Sequence, residues 1–359
     1  MACGFAFLKN TPRLAMNWPL NSRQTNVKIL VTGSNGFIGR WVARRLNDEG
    51  FEVIGLDTAK PTTGQGVKTN YGCDILDAKH LRAILMECKP DSVIHLAART
   101  DLNETRDISG YAANIDGVRN LVDAVRQTPS IRRVIYTSSQ LVCKVGHVPG
   151  KMDEYCPNTL YGQSKTLTER IVRELDGGGV EWSLVRPTSV WGPGMSPHYQ
   201  RMLALIKDGR FFHCGHGKLL KSYSYAGNIA HQYFKLLTAP SEIVNRQTFY
   251  LADYEPLSLR DYANDLAREL GAKPIPTVPV FVARALGVVG DFLGLIRGPG
   301  FPFNSFRLNN ILTEYVFDLT PTQRVCGDLP FTYQQGVQET AAWYLLDKAV
   351  PQASCSPSR

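Results

Sequence analysis

The chain has 359 residues, 43% of them hydrophobic and 20% charged, with a net charge of +8. That length and apolar content exclude a disordered or fibrous chain and allow a large core. The positive balance suits a polyanionic ligand such as a nucleotide sugar, while no basic run or interleaved aromatic patch points to nucleic acid.

Residues 1–26 carry Lys9, Arg13 and Arg23 and no acid. Their apolar stretch is too short and interrupted for a signal-peptide core, so a disordered extension is expected, with a transit peptide as the alternative. An apolar run, 27–31, then leads into Gly33-Ser-Asn-Gly36-Phe-Ile-Gly39 and an amphipathic stretch. Strand, glycine loop and helix in that order make a dinucleotide site. Gly33 permits the tight turn, Gly36 lets the backbone approach a pyrophosphate, and Gly39 lets the new helix pack closely on the strand. The helix N-terminus faces the phosphates, with Asn35, Phe37 and Ile38 expected beside the cofactor. After the next apolar run, Asp57 stands at the spacing of an acid that accepts from the adenosine ribose. A carboxylate there repels a 2′-phosphate, so NAD is favoured over NADP, a preference that nearby Lys60 moderates.

Strands are expected at 28–31, 52–56, 92–96, 133–136 and 183–185, alternating with helices at 37–49, 78–87, 110–127 and 160–175. Repeated βα units imply an α/β fold with a doubly wound parallel sheet over 27–186. Beyond 186 the rhythm changes. Helical stretches at 199–207, 257–270 and 335–347 suggest a smaller C-terminal α/β lobe over 187–348, with some chain returning to the body and a flexible tail at 349–359. The cleft between the two is the expected active site. Segment 278–296 is nearly all apolar, but Arg284 and Asp291 make a membrane span costly, so a buried or partner-facing helix is expected. Eight scattered Cys without a Cys-x-x-Cys pair suit a reducing cytoplasm. His213-Cys-Gly-His216 lacks further spaced ligands, and no metal is expected.

Tyr161-Gly-Gln-Ser-Lys165 places Tyr and Lys four apart at a helix start, on one face. A nearby ammonium favours phenolate, lowering the Tyr pKa so that Tyr161 can serve as general base. Thr137-Ser138-Ser139 ends a strand at the carboxyl edge of the sheet, where a hydroxyl can hold the reacting oxygen or simply cap a turn.

Together these residues resemble the extended short-chain dehydrogenase/reductase family, in its NAD-dependent epimerase/dehydratase branch, from residue 27 to 343. Cys73-Asp74-Ile75 looks like the family's adenine-contacting pair, and His95-Leu96-Ala97-Ala98 like its fourth-strand signature. Asn114-Ile-Asp-Gly-Val-Arg-Asn-Leu is similar to the helix that braces the active site and lies near the cofactor. Arg186-Pro187-Thr-Ser-Val-Trp-Gly-Pro matches the strand and loop that follow, and 336–343 the closing helix. The resemblance implies that Ser139, Tyr161 and Lys165 form the catalytic trio, that Lys165 also binds the nicotinamide ribose, and that the protein is a homodimer through 110–127 and 160–175. Substrate contacts implied are Ser138, Ser139, Ser189, Lys221 and Arg307. Gln140-Leu141 after Ser139 lacks the acid of the 4,6-dehydratases and the Cys of the fucose synthases. A nucleotide-sugar 4-epimerase working through a 4-keto intermediate, or a dehydrogenase, is left. The hydroxysteroid dehydrogenases are the rival branch, suggested by residues 225–231 and the apolar segment; Lys207, Arg210, Lys218 and Lys221 are expected to gather where a diphosphate lies and so favour the sugar. A non-catalytic NAD sensor is a third reading.

Overall fold

The computed structural model describes residues 27–60, 67–297 and 304–349. The expected N-terminal extension and the tail from residue 350, with Cys3 and Cys355, lie outside them. A 7-stranded sheet forms the body. Its strands are β1 (Lys28–Thr32), β2 (Glu52–Asp57), β3 (Thr69–Gly72), β4 (Ser92–His95), β5 (Arg133–Thr137), β6 (Glu181–Pro187) and β7 (Gln247–Leu251), in spatial order β7-β6-β5-β4-β1-β2-β3. Every pairing in it is parallel.

Because both faces are covered, the strands are apolar on consecutive residues instead of alternating with polar ones. Leu30, Ile54, Val93, Val134 and Leu184 point into one core, against α2 (Ala78–Cys88), α3 (Ala112–Arg126) and α4 (Leu160–Glu174). Ile29, Val31, Val53, Ile94 and Val185 point into the other, against α1 (Phe37–Asp48) and α6 (Ala226–Thr238). The order reverses between β1 and β4. At such a switch point the carboxyl ends of the strands open a crevice.

Two body strands lie outside the expected set. β3, Thr-Asn-Tyr-Gly, is half exposed at the sheet edge. β7 arrives 60 residues after β6 and pairs Gln247 with Ser183 through Leu251 with Pro187. Over the crevice lies a lobe built on Trp191, Met195, Leu203, Tyr225, Tyr262, Leu266, Val337 and Tyr344. Its helices are α5 (Pro197–Lys207), Leu259–Glu269 and Tyr333–Ala349, laced by two- and three-residue strand pairs. The Arg40 guanidinium donates to Gly194 O (3.1 Å) and the Trp41 indole to Pro193 O (3.0 Å), fixing the loop after Trp191 onto α1.

The apolar segment forms the helix Val280–Arg297. Of the two expected settings, buried or partner-facing, the buried one does not hold. Its Gly287 side backs onto Ser305 of the helix Ser305–Leu312, whereas Phe281, Val288, Val289 and Phe292 face outward, 74%, 63%, 53% and 64% exposed. Among the described residues, no helix is long and apolar enough to cross a membrane.

Candidate functional site

The glycine loop is shaped by steric need. Gly33 turns at φ +69°, and a Cβ there would lie 2.7 Å from Ala97 N. A Cβ on Gly39 would sit 2.0 Å from Gly33 O, so only glycine lets α1 close onto the loop. Gly36 is different, since its Cβ would meet nothing nearer than Gly33 O at 3.2 Å. No side chain caps α1, and its first turn, Phe37 and Ile38 included, carries no acid. Those uncapped N–H groups are a ready seat for a pyrophosphate.

Asp57 ends β2 beside this loop. Its carboxylate accepts from Asn35 N (2.8 Å) and Ala59 N (2.9 Å), one bond to each oxygen, and lone pairs remain for ribose hydroxyls. The Asn35 amide is spent on Ala59 O (2.5 Å) and shapes the loop. Asp74 is exposed and accepts from Leu76 N (2.9 Å), while the Ile75 side chain is buried against the Gly117 position of α3. Ile75 therefore offers an adenine only its backbone. Thr32 Oγ1 accepts from Leu96 N (3.1 Å) and Ala97 N (3.2 Å) and bonds His95 Nδ1 (2.8 Å), which sets the Leu96-Ala97-Ala98 turn over Gly33. Pro187 closes β6, buried.

Asn114 is fully buried and its amide is filled. Its oxygen accepts from Arg99 N (2.9 Å), and its nitrogen donates to Arg99 O (2.9 Å) and Ser164 Oγ (3.0 Å). These bonds make Asn114 a brace between the β4 loop and α4; both amide N–H donors are used, and one oxygen lone pair remains for the expected cofactor contact.

The expected catalytic residues lie together at the carboxyl end of β5 and the first turn of α4. Thr159 caps α4, accepting from Gly162 N (3.0 Å). Tyr161 hydrogen-bonds Ser139, whose Oγ also accepts from Leu141 N (3.1 Å), so this serine both caps a turn and faces the tyrosine. Lys165 Nζ donates to Thr137 O (3.0 Å). Burial pushes Tyr161 up to about 12, and Ser139 only partly offsets this. Burial also brings Lys165 down to about 8, opposed by Glu169 one turn on. The expected lowering of Tyr161 is thus outweighed by burial, and the Lys165 ammonium is held on a backbone carbonyl. Ser138 Oγ is buried without a partner, a hydroxyl available to a ligand.

On the substrate side, Ser189 takes hydrogen bonds with Tyr199 and Tyr223, and Tyr199 and Tyr111 flank Tyr161, the latter with ring centroids 5.9 Å apart. Arg307 lies beside Arg201, and burial followed by that like charge lowers its pKa. Lys221 does not reach the cleft as a free cation. It is buried and donates to Asn310 O (2.6 Å) and Thr313 O (2.7 Å). Lys207 is held by Leu270 O (2.7 Å) and Lys218 lies 3.9 Å from Asp261, so the expected basic gathering is replaced by the Arg201–Arg307 pair. Tyr111, Tyr199 and Arg201 escape sequence reasoning because only the fold brings them to Tyr161 and Arg307.

The family model for the NAD dependent epimerase/dehydratase family matches residues 29–252. The chain is 28% identical over 323 residues to the N-acetyl-alpha-D-glucosaminyl-diphospho-ditrans,octacis-undecaprenol 4-epimerase of Escherichia coli O157:H7, covering 88% of this chain and 94% of that one. It is 26% identical over 353 residues to a 3-beta-hydroxysteroid dehydrogenase of Mycolicibacterium neoaurum, covering 91% and 94%. Among solved structures, the UDP-glucose 4-epimerase of Thermus thermophilus complexed with NAD superposes with a TM-score of 0.66 at 20% identity, over 89% of this chain and 99% of that one.

Proposed function

Because the chain belongs to the NAD-dependent epimerase/dehydratase family, an enzyme family of isomerases and oxidoreductases whose cofactor is NAD, we propose that it is a 4-epimerase of a diphosphate-linked hexose, a nucleotide sugar first. Gly33 to Gly39 and Asp57 would hold the dinucleotide. NAD supplies hydride acceptance and return at C4. Tyr161 takes the C4 hydroxyl proton while Ser139 holds the oxygen, and Lys165, leaving Thr137 O, places positive charge beside the phenolate and reaches a ribose. Rotation of the 4-keto sugar and return of the hydride to the opposite face give the epimer, with Tyr161 giving the proton back. Atoms balance without net redox. Ser189, Tyr199 and Ser138 would orient the sugar, and the two guanidiniums would clamp the diphosphate.

The observation that supports the diphosphate is Arg201 on α5, the helix whose Tyr199 borders Tyr161, lying near enough to Arg307 of Ser305–Leu312 for the two charges to repel. A second reading, a substrate with an apolar body such as a 3β-hydroxysteroid or a polyprenyl diphosphate sugar, is favoured by the exposed apolar face of Val280–Arg297. The paired faces of α3 and α4 would form a homodimer, and the free thiols suit a reducing cytoplasm. The test is incubation with UDP-hexoses and, separately, with 3β-hydroxysteroids plus NAD. A 4-epimer without accumulating NADH is expected, with kcat reduced about 10²–10⁴-fold in Tyr161→Phe. Steady NADH with a sterol would replace this reading by the second.

A further inference from the structure

Between the two catalytic residues Ser139 and Tyr161 the chain makes an excursion whose ends are pinned together. Lys144 N donates to Cys156 O and Cys156 N to Val142 O, both at 3.0 Å, so Cys143 and Cys156 face each other across a parallel bridge. A turn closed by His147 N on Lys144 O (3.1 Å), with Gly146 at φ +88°, folds His147 back onto the same pair. The Cys143 and Cys156 sulfurs and a His147 ring nitrogen all lie within 4.8 Å of one another. Cys143 is buried, and His147 and Cys156 are half-buried, which leaves a path from solvent. Glu154 holds the imidazole at Nε2 (2.6 Å), which leaves Nδ1 as the nitrogen for an ion, and is itself fixed by Gly150 N (2.8 Å).

We infer that Cys143, His147 and Cys156 form a binding site for a thiophilic divalent cation of the Zn2+ class, with Glu154 as the carboxylate that orients the histidine. Two sulfurs and an imidazole are the donor set that zinc prefers over hard cations. An ion at about 2.0–2.3 Å from each donor requires the three atoms to approach by only about an ångström. A carboxylate on the second ring nitrogen is the usual partner of a metal-bound histidine. Binding releases the two thiol protons, so the paired thiolates neutralise the ion, and solvent completes the fourth position. The signal was absent from sequence reading because spacings of four and nine residues match no finger or ribbon pattern. The consequence is local: the ion would stiffen the excursion that joins the residue holding the reacting oxygen to the general base.

The site is independent of which sugar or sterol is turned over, and so is its test. Full-length protein, reduced and freed of metal, is titrated with Co2+. The expected result is one equivalent per chain, with a thiolate-to-cobalt charge-transfer band and the intense visible bands of a tetrahedral ion, displaced by Zn2+. Glu154→Gln should weaken binding about 10–100-fold, and Cys156→Ser should abolish the charge-transfer change of a two-thiolate site. Absence of these bands in the unaltered protein overturns the inference, whatever the variants do. A Cys143–Cys156 disulfide mapped in freshly isolated protein also overturns it, in favour of a redox pair.

Discussion

Gly36 and Gly39 stand three residues apart in one loop and answer to different constraints. A Cβ on Gly39 collides with Gly33 O at 2.0 Å, so Gly39→Ala should cost about 1–3 kcal/mol of stability as well as cofactor binding. Gly36 has only a 3.2 Å neighbour, so Gly36→Ala should keep the fold and weaken NAD by about tenfold or more, roughly 1.4 kcal/mol. Urea unfolding and calorimetric NAD titration of both variants separate the two effects; unchanged NAD affinity in Gly36→Ala would sink the phosphate role. At this scale the sequence is most readable where neighbours in the chain are neighbours in space, as in the glycine loop or at Tyr161 and Lys165. The bracing bonds of Asn114 were illegible for the opposite reason. Its partners, Arg99 and Ser164, are 15 and 50 residues away, and they take both of its amide donors.

α4 carries Tyr161 and Lys165 and is anchored from behind. Glu169, one turn after Lys165, is buried against Arg186, which donates through Nε (2.7 Å) and Nη2 (2.8 Å) while Nη1 donates to Tyr250 (3.0 Å). Removing one member of a buried pair leaves the other's charge poorly matched. Glu169→Gln should therefore lose about 3–5 kcal/mol in chemical denaturation, and Lys165, losing a counter-charge, should shift further down. A loss below about 1 kcal/mol would show that the pair is not the anchor. Helices with an apolar stripe and strands rich in Val and Ile were legible as elements. β3 was not, since Thr-Asn-Tyr-Gly at a sheet edge buries too little to leave a pattern. The helix Val280–Arg297 was legible as a helix, but the choice between a buried and a partner-facing setting was not, because an outward apolar surface reads in sequence just like one facing a core.

For the molecule as a whole, burial of ionisable groups sets the acid limit of stability. His95 is driven down to about 3 and His231 to about 4, both chiefly by burial. The unfolded chain protonates both near 6.5, so their contribution is complete above that pH and is lost as pH falls towards their folded values. Asp253, raised to about 6 by burial, works the other way, favouring the fold at low pH and losing that advantage as pH rises through 6. His213, also lowered chiefly by burial, acts with the two histidines, and these three groups against Asp253 leave stability falling from about pH 6.5 to about pH 4. His95→Asn should flatten this fall, as read from urea midpoints at about pH 7.5 and about pH 5. An unchanged slope would remove His95 from the account. The alternation of strands and helices made the doubly wound body readable, and the return of the chain to it was expected without its place.

That place has a consequence for how the protein is made. β7 seals the edge of β6, yet it is separated from β6 by the whole first part of the upper lobe. A chain emerging from the ribosome holds a complete dinucleotide loop long before this closing strand exists. During that interval β6 presents an open row of backbone donors and acceptors to any other strand. Fragments cut at the end of the glycine-loop half should therefore be templates for aggregation rather than miniature NAD-binding domains, and dissection of this enzyme would have to carry residues 247–251 along.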